Sequence, residues 1–420
     1  MKIVNKISKA EVKLAAPQSK SHTLRALIIS SLAEGKSIIH NPLLAEDQLN
    51  VIECLKKLGV SIISENNTLI VHGLEGRYSP VTDEINVGES GVGMNFLVSA
   101  ACYSDKPVII TGAEGLIKRP IKEVVDGIIQ LGSKIEYLGN EGFPPVKIFN
   151  TGLNGGIVKI HGAKTSQYFS SIAIAAPYSR DNVIINCIDN MTEKPYFDIT
   201  LQMMAKFGVY AKNNNHKEIE ILKNQKYKGC EIFIEGDYSS ASFFFLAAAI
   251  CQAKVTLTGL CQDTAQGDIA MLDLLEKMGC QVLTGENEVT VIGNKLKAIQ
   301  ADMSSIPDLV PPMAIAAAFA EGTSRFYNIG HLRHKECDRM AVLVSELNKM
   351  GPCAACDDDS ITITGQNCLH GASIDPHNDH RMAMSFAVAG LVTGNQIIEN
   401  KKCVAKSFPD FWERFEVFYK

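Results

Sequence analysis

Apolar and polar positions follow two rhythms along this chain, and the pair of rhythms recurs six times. Short alternating runs read as β-strands. They end at Asn41 (SIIHN), Gly112 (VIITG), Cys187 (VIINC), Gly259 (VTLTG), Asn328 (RFYN) and Asn400 (QIIEN), at steps of 71, 75, 72, 69 and 72 residues. Each run follows an apolar segment rich in small residues: 23–34, 93–105, 166–179, 240–252, 309–321 and 381–393. Their length and Ala content read as buried helices. Each of the first five strands leads to an amphipathic helix stopped by glycine, at Gly59, Gly132, Gly208, Gly279 and Gly351, spaced 73, 76, 71 and 72. A hairpin pattern follows each stop, as in VSIISENNTLIVHG and CQVLTGENEVTVIG. The predicted unit is a short lead-in strand, a buried helix, a strand, an outer helix and a hairpin.

The sixth copy runs out in its last helix, around 408–419. The N-terminal KIVNKISKAEVKL reads as strand–turn–strand around Ser8 and Lys9 and is expected to complete that copy. Two domains of three copies follow: an inserted domain, 18–235, and a second made of 1–17 plus 236–420, with the chain crossing near 16–20 and 234–237.

The polar residues that break these patterns collect at the entrances of the buried helices. They are Ser19-Lys20-Ser21 with Arg25 one turn on, Gly88-Glu89-Ser90-Gly91, Thr165-Ser166-Gln167, Asp237-Tyr238-Ser239-Ser240, Asp308, and Asn378-Asp379-His380-Arg381. For Asp237, Ser240 and Asp379, helix capping and direct function are equally good readings. Lys20, Arg25 and Arg381 differ, because a cation there opposes the helix dipole unless an anion joins it. The densest stretch is HLRHKECDR, 331–339, followed by an amphipathic helix through Met340, Leu343, Val344 and Leu347. On that helix Lys335 and Arg339 are expected to share a face, with Glu336 one turn from Arg339. A carboxylate among cations suits proton transfer beside an anionic substrate, or a solvated, salt-bridged face.

The net charge of the 420 residues is −5, so no general basic field exists for nucleic acid, and cations serving anionic substrates must be concentrated locally. The longest apolar runs are too short to span a bilayer. The N-terminus is patterned as a strand and not as a signal peptide. Twelve scattered Cys fit reduced thiols. The one CxxC, Cys353 to Cys356, lacks a second pair, and HNDH at 377–380 lacks further ligands, so neither argues for a metal.

Several stretches together resemble the 5-enolpyruvylshikimate-3-phosphate synthase family over essentially the whole chain. They are SKSHTLRA (19–26), KRPI (118–121), GFPPVKI (142–148), SQYFSSI (166–172), KPYFDITL (194–201), EGDYSSASFF (235–244), QGDI (266–269), IPDL (306–309), HLRHKECDR (331–339), DHRMAM (379–384) and AKSFPDF (405–411). The resemblance implies an α/β fold of two domains, each of three βαβαββ units in an inverse αβ barrel-like arrangement, closing on substrates in an interdomain cleft. The implied reaction moves the carboxyvinyl group of phosphoenolpyruvate onto the 5-hydroxyl of 3-phosphoshikimate, through a tetrahedral intermediate, with loss of phosphate.

Carried over by motif, Gly91, Arg119, Gln167 and Lys406 hold the phosphoenolpyruvate phosphate, while Arg339 and Arg381 hold its carboxylate. Ser21 and Arg25 take the shikimate carboxylate. Thr165, Ser166 and Lys335 match the acceptor-phosphate positions, with Tyr196 and His331 on that side. Glu336 handles the carbon proton, and Asp308 and Lys20 the hydroxyl. Lys20 and Gln167 touch both substrates. No metal or organic cofactor is called for. The partners are small molecules, without nucleic acid or membrane, and a cytoplasmic monomer is expected.

The family usually reads Asn or Asp-Ala-Gly-Thr and then Met-Arg where this chain has Glu89-Ser90-Gly91-Val92-Gly93-Met94-Asn95. Glu193 replaces the Ser common before KPY, His331 an Asn, and Thr165 the first Ser of SSQ. These departures keep open a paralogous enolpyruvyl transferase with another hydroxyl acceptor. Glu193 is expected to turn outward, leaving the hydroxyls to the acceptor phosphate. UDP-N-acetylglucosamine enolpyruvyl transferase shares the implied fold but carries a Cys where GAEGLIKRP has none. A binding protein without turnover would not need Lys20, Asp308, Glu336 and Arg339 together.

Overall fold

The computed structural model describes residues 1–8, 11–366 and 368–420. Contacts divide the chain into two compact units, Lys20–Ile234, and Met1–Ser19 with Glu235–Lys420. Each has its own apolar core.

In the inserted unit the central strands Lys36–His40, Val108–Thr111 and Val183–Cys187 each sit second in a four-stranded sheet. Each has a parallel lead-in strand on one side, namely Glu231–Phe233, Glu84–Asn86 and Gly156–Ile160. On the other side lies an antiparallel hairpin: Ser61–Glu65 with Thr68–His72, Ile135–Tyr137 with Val146–Ile148, and Ala211–Asn214 with Glu218–Ile221. The helices Lys20–Leu32, Gly91–Ala100 and Gln167–Ala175 are buried on nearly every face. Small residues permit this: the Ser99 and Ser171 hydroxyls meet at 2.5 Å, satisfying polar groups that would otherwise be costly to bury. The outer helices Glu46–Lys57, Lys122–Gln130 and Lys194–Lys206 are followed by Gly59, Gly132 and Gly208, at φ 96°, 88° and 84°. That left-handed conformation ends a helix and suits glycine.

The other unit repeats the plan around the buried helices Tyr238–Cys251, Val310–Ala318 and His380–Thr393 and the central strands Lys254–Thr258, Thr323–Tyr327 and Gln396–Ile398. Its last sheet has three strands, with Lys2–Val4 antiparallel to Gln396–Ile398 and Ser373–Ile374 parallel to it.

The N-terminal segment corrects the expected local hairpin. Lys2–Val4 joins the sixth copy, but Glu11–Ala15 pairs in parallel with Lys254–Thr258 of the fourth. Of the expected turn around Ser8 and Lys9, Lys9 lies outside the described residues. The reason is an exchange of lead-in strands. Glu231–Phe233, which precedes the fourth buried helix in sequence, is used by the first copy, so the fourth copy takes Glu11–Ala15. At the crossing Ser19 N–H donates to Glu235 O at 2.8 Å.

The helix after HLRHKECDR holds the apolar period from Met340 but does not reach back to Lys335. Asp338 caps it by accepting from Ala341 N at 3.0 Å, and the helix runs Arg339–Met350. Residues Gly330–His334 form a 3-10 turn and Lys335 is extended, so Lys335 and Arg339 share no helix face.

Candidate active site

In the unit completed by the N-terminus, three carboxylates close around one guanidinium. Arg339 Nη1 bonds Asp308 Oδ1 at 2.9 Å, Nη2 bonds Glu336 Oε2 at 3.0 Å, and Nε bonds Asp379 Oδ2 at 2.7 Å. Arg381 Nη2 reaches Asp308 Oδ2 at 2.6 Å, and Lys406 Nζ lies 3.3 Å from Glu336 Oε1. All six side chains are buried or nearly so. Buried charges persist only when paired, and these are paired repeatedly. Glu336 reaches Arg339 from the loop ahead of the helix. Asp379 resolves its own ambiguity by doing both jobs: it accepts from Arg381 N at 2.9 Å and grips Arg339. Asp237 is a cap, accepting from Ser240 N at 3.1 Å.

Burial alone would raise the Asp308 carboxyl, but Arg381, Arg339 and Lys335 hold it well below the ordinary carboxylate range. Arg339 is disfavoured by burial and still held well above its ordinary value by Asp379, Glu336 and Asp308. Asp268 moves the other way. Burial and the neighbouring Asp308 charge raise it, against Arg381 and a hydrogen bond from the Ser239 hydroxyl. His331 is buried in the 3-10 turn, with Lys335 just after it.

In the inserted unit, Lys20 opens its helix with Nζ 2.5 Å from Asp47 Oδ2. Arg25 is 2% exposed, and its described partners are neutral oxygens: Thr200 Oγ1 at 2.7 Å, Ser21 O at 3.0 Å and Tyr196 O at 2.7 Å. The Thr200 hydroxyl in turn donates a hydrogen bond to Ser170 Oγ at 2.8 Å. Burial lowers Arg25 to about 10, with Tyr196 and Glu193 raising it in part, so it stays charged at neutral pH and its charge is available to an anion.

Gly91 begins the second buried helix, capped by Ser90 accepting from Gly93 N at 3.2 Å. A Cβ at Gly91 would stand 3.1 Å from Arg119 Nη1. Asn95, in the place of the family's usual Arg, bonds Gln167 Oε1 at 2.9 Å. Thr165 Oγ1 donates to Glu193 Oε2 at 2.6 Å and Ser166 Oγ to Glu193 O at 3.0 Å. Glu193 is therefore turned inward, 3% exposed, against the expectation that it faces out. The bond from the Thr165 hydroxyl offsets part of the cost of burying the carboxylate.

Each unit thus gathers its expected residues at the entrances of its buried helices and in the loops beside them. Asp47, Thr200, Ser170 and Asp268 were not singled out in the sequence, although KPYFDITL, SQYFSSI and QGDI contain the last three. A cavity of about 890 Å³ lies elsewhere in the inserted unit, beyond the C-terminal ends of its buried helices, lined by Arg77, Tyr103, Tyr178 and Arg180 among others. Among the described residues no group of three or more His, Cys, Asp or Glu is placed to hold a metal, and no helix is long and apolar enough to cross a membrane.

The family profile of EPSP synthase (3-phosphoshikimate 1-carboxyvinyltransferase) matches residues 4–415. The 3-phosphoshikimate 1-carboxyvinyltransferase of Methanoculleus marisnigri is 38% identical over 413 residues, covering 98% of this chain and 97% of that protein. Its counterpart from Methanoregula boonei is 40% identical over 405 residues, 96% of each. A solved EPSP synthase from Acinetobacter baumannii superposes with a TM-score of 0.82 at 28% identity, covering 98% of this chain and 96% of that one. A carboxylate cluster around paired guanidiniums, on a six-fold repeat matched along its whole length, places this chain in the EPSP synthase family.

Proposed function

We propose that this chain transfers the carboxyvinyl group of phosphoenolpyruvate to the 5-hydroxyl of 3-phosphoshikimate and releases phosphate, a step on the route to chorismate and the aromatic amino acids. The observation that carries the reading is the placement of Asp308 and Glu336 on the same guanidinium, Arg339, with Arg381 and Lys406 beside them. The transfer needs one proton delivered to the methylene carbon and one removed from the attacking hydroxyl, among two phosphates and two carboxylates. Two carboxylates held among cations meet that need. The relatives' names favour the shikimate acceptor over a paralogue's.

The hydroxyl oxygen attacks C2 of phosphoenolpyruvate while C3 takes a proton from Glu336. The tetrahedral intermediate then loses phosphate, and Glu336 recovers the C3 proton as the double bond re-forms. Asp308 and Lys20 manage the hydroxyl proton. As it stands Asp308 is a weak base, because cations surround it. Arg339 and Arg381 are the proposed holders of the phosphoenolpyruvate carboxylate, so substrate binding would draw them off and raise the basicity of Asp308 when it is needed. Arg119, Gly91, Gln167 and Lys406 are assigned to the leaving phosphate. Ser21 and Arg25 are assigned to the acceptor's carboxylate, and Thr165, Ser166, Tyr196, His331 and Lys335 to its phosphate. Arg25, buried among neutral oxygens, is the strongest support for an incoming anion.

The same reading makes the protein a cytoplasmic monomer acting on small molecules. Twelve free thiols support a reducing compartment. The test is phosphate release from phosphoenolpyruvate with 3-phosphoshikimate and, separately, with unphosphorylated shikimate. Turnover with the first alone is expected. No turnover with the phosphorylated acceptor would reject the assignment.

A further inference from the structure

The chain places an anion of its own at the entrance of the buried helix Gln167–Ala175. Ser166 is the N-cap residue but does not cap the helix with its side chain; its hydroxyl donates to Glu193 O at 3.0 Å. Thr165 Oγ1 donates to Glu193 Oε2 at 2.6 Å, and Gln167 N–H donates to Thr165 Oγ1 at 3.3 Å. Glu193 itself stands at the N-cap of Lys194–Lys206, yet its carboxylate does not cap that helix. Its backbone is left-handed, at φ 58° and ψ 33°, a conformation uncommon for a residue with a long side chain. The carboxylate is buried rather than solvated, and its charge is felt at Arg25, whose pKa it raises. An unusual backbone, a forgone cap and a buried charge all serve one arrangement, in which a carboxylate occupies a place suited to anions by a helix entrance and the Thr165 hydroxyl.

We propose that Glu193 is an internal competitor for the acceptor's phosphate, holding the Thr165 hydroxyl until an incoming phosphate displaces it. This rests on the acceptor site proposed above and goes beyond it, because it makes Glu193 a specificity-determining residue that acts by opposing the ligand. Like charges cannot share the site, so the acceptor gains the Thr165 hydroxyl only by moving the carboxylate. A small anion such as inorganic phosphate, with no ring or second carboxylate to hold it, gains too little elsewhere to do so. The true acceptor also meets Ser21 and Arg25.

Glu193→Gln and Glu193→Ser test this against the wild type. Glutamine keeps the size and the ability to accept from Thr165 but removes the charge. Both variants are expected to lower KM for 3-phosphoshikimate by roughly tenfold, the scale of one like-to-neutral change at short range. The change should be concentrated in KM rather than kcat, with KM for phosphoenolpyruvate little moved. Inorganic phosphate, titrated calorimetrically, should bind both variants more tightly than wild type by a similar factor. A KM for the acceptor that is unchanged or higher in Glu193→Gln, with phosphate binding no tighter, would overturn the proposal and make Glu193 a support of the site. Failure of the reaction assignment looks different: wild type would then release no phosphate with either acceptor, while the calorimetric titration would still read the effect of Glu193.

Discussion

Arg339 Nε sits 2.7 Å from Asp379 Oδ2, while the other oxygen of that carboxylate receives the backbone N–H of Arg381 at 2.9 Å. One aspartate thereby orients both guanidiniums assigned to the phosphoenolpyruvate carboxylate, one through its side chain and one through the start of its helix. Asp379 and Arg339 are essentially fully buried. Asp379→Asn leaves Arg339 short of a charged partner in a dry site and should cost about 3–5 kcal/mol in unfolding free energy. It should also raise KM for phosphoenolpyruvate. Urea denaturation beside steady-state kinetics checks both; a loss of stability below about 1 kcal/mol would show that the pair contributes little.

Glu336→Gln keeps the shape and the oxygen offered to Arg339 and Lys406, and removes the proton carrier. The expected outcome is a fall in kcat of about 10²–10⁴ with substrate dissociation constants close to wild type. Near-normal kcat would remove Glu336 from the proton transfer.

Gly91→Ala brings a methyl group to 3.1 Å from Arg119 Nη1, tighter than ordinary contact but against the movable end of a long side chain. Arg119 must give way by a few tenths of an ångström, so folding should survive and the phosphate pocket should shrink. Inhibition by the phosphonate glyphosate, expected to compete for that pocket, should weaken. An unaltered inhibition constant would place the phosphonate elsewhere.

Asp268 ties pH to stability. Its folded-state pKa is raised above the unfolded value, so the stability it contributes is fully present below the ordinary carboxylate range and is lost as pH rises through the folded value. Asp268→Asn removes that loss and can still accept from the Ser239 hydroxyl. The variant's melting temperature, relative to wild type, should therefore increase between about pH 5 and about pH 8. A difference independent of pH would show that Asp268 is not protonated in the fold.

Much of this architecture is written in local pattern. The Ala-rich segments, the alternating strands and glycines such as Gly59 and Gly132 depend on near neighbours, and each recurs where its period places it. What local pattern lacks is partner choice. Glu11–Ala15 follows Lys2–Val4 closely enough to read as its hairpin partner, and nothing in either strand announces that one belongs to the fourth copy and the other to the sixth. The apolar period from Met340 fits the helix, but its start at Arg339 is set by the Asp338 cap, which leaves Lys335 outside it. Glu193 departs from expectation because a glutamate's default is water, and the Thr165 hydroxyl it meets inside is 28 residues away. The same blindness to distant partners hid Asp47 and Thr200, whose roles exist only once Lys20 and Arg25 are in place.

The pairing of Lys2 with Ile398 sets an order of events during synthesis. Lys20–Ile234 contains every strand of its three sheets and can finish as soon as its last residues leave the ribosome. Two strands made before it must wait: Glu11–Ala15 for Lys254–Thr258, and Lys2–Val4 for Gln396–Ile398. At ordinary elongation rates that wait is on the order of 20–80 s. Throughout it these two segments of the nascent chain lack their sheet partners, a state that invites mispairing, so a chaperone or a neighbouring nascent chain would find purchase there.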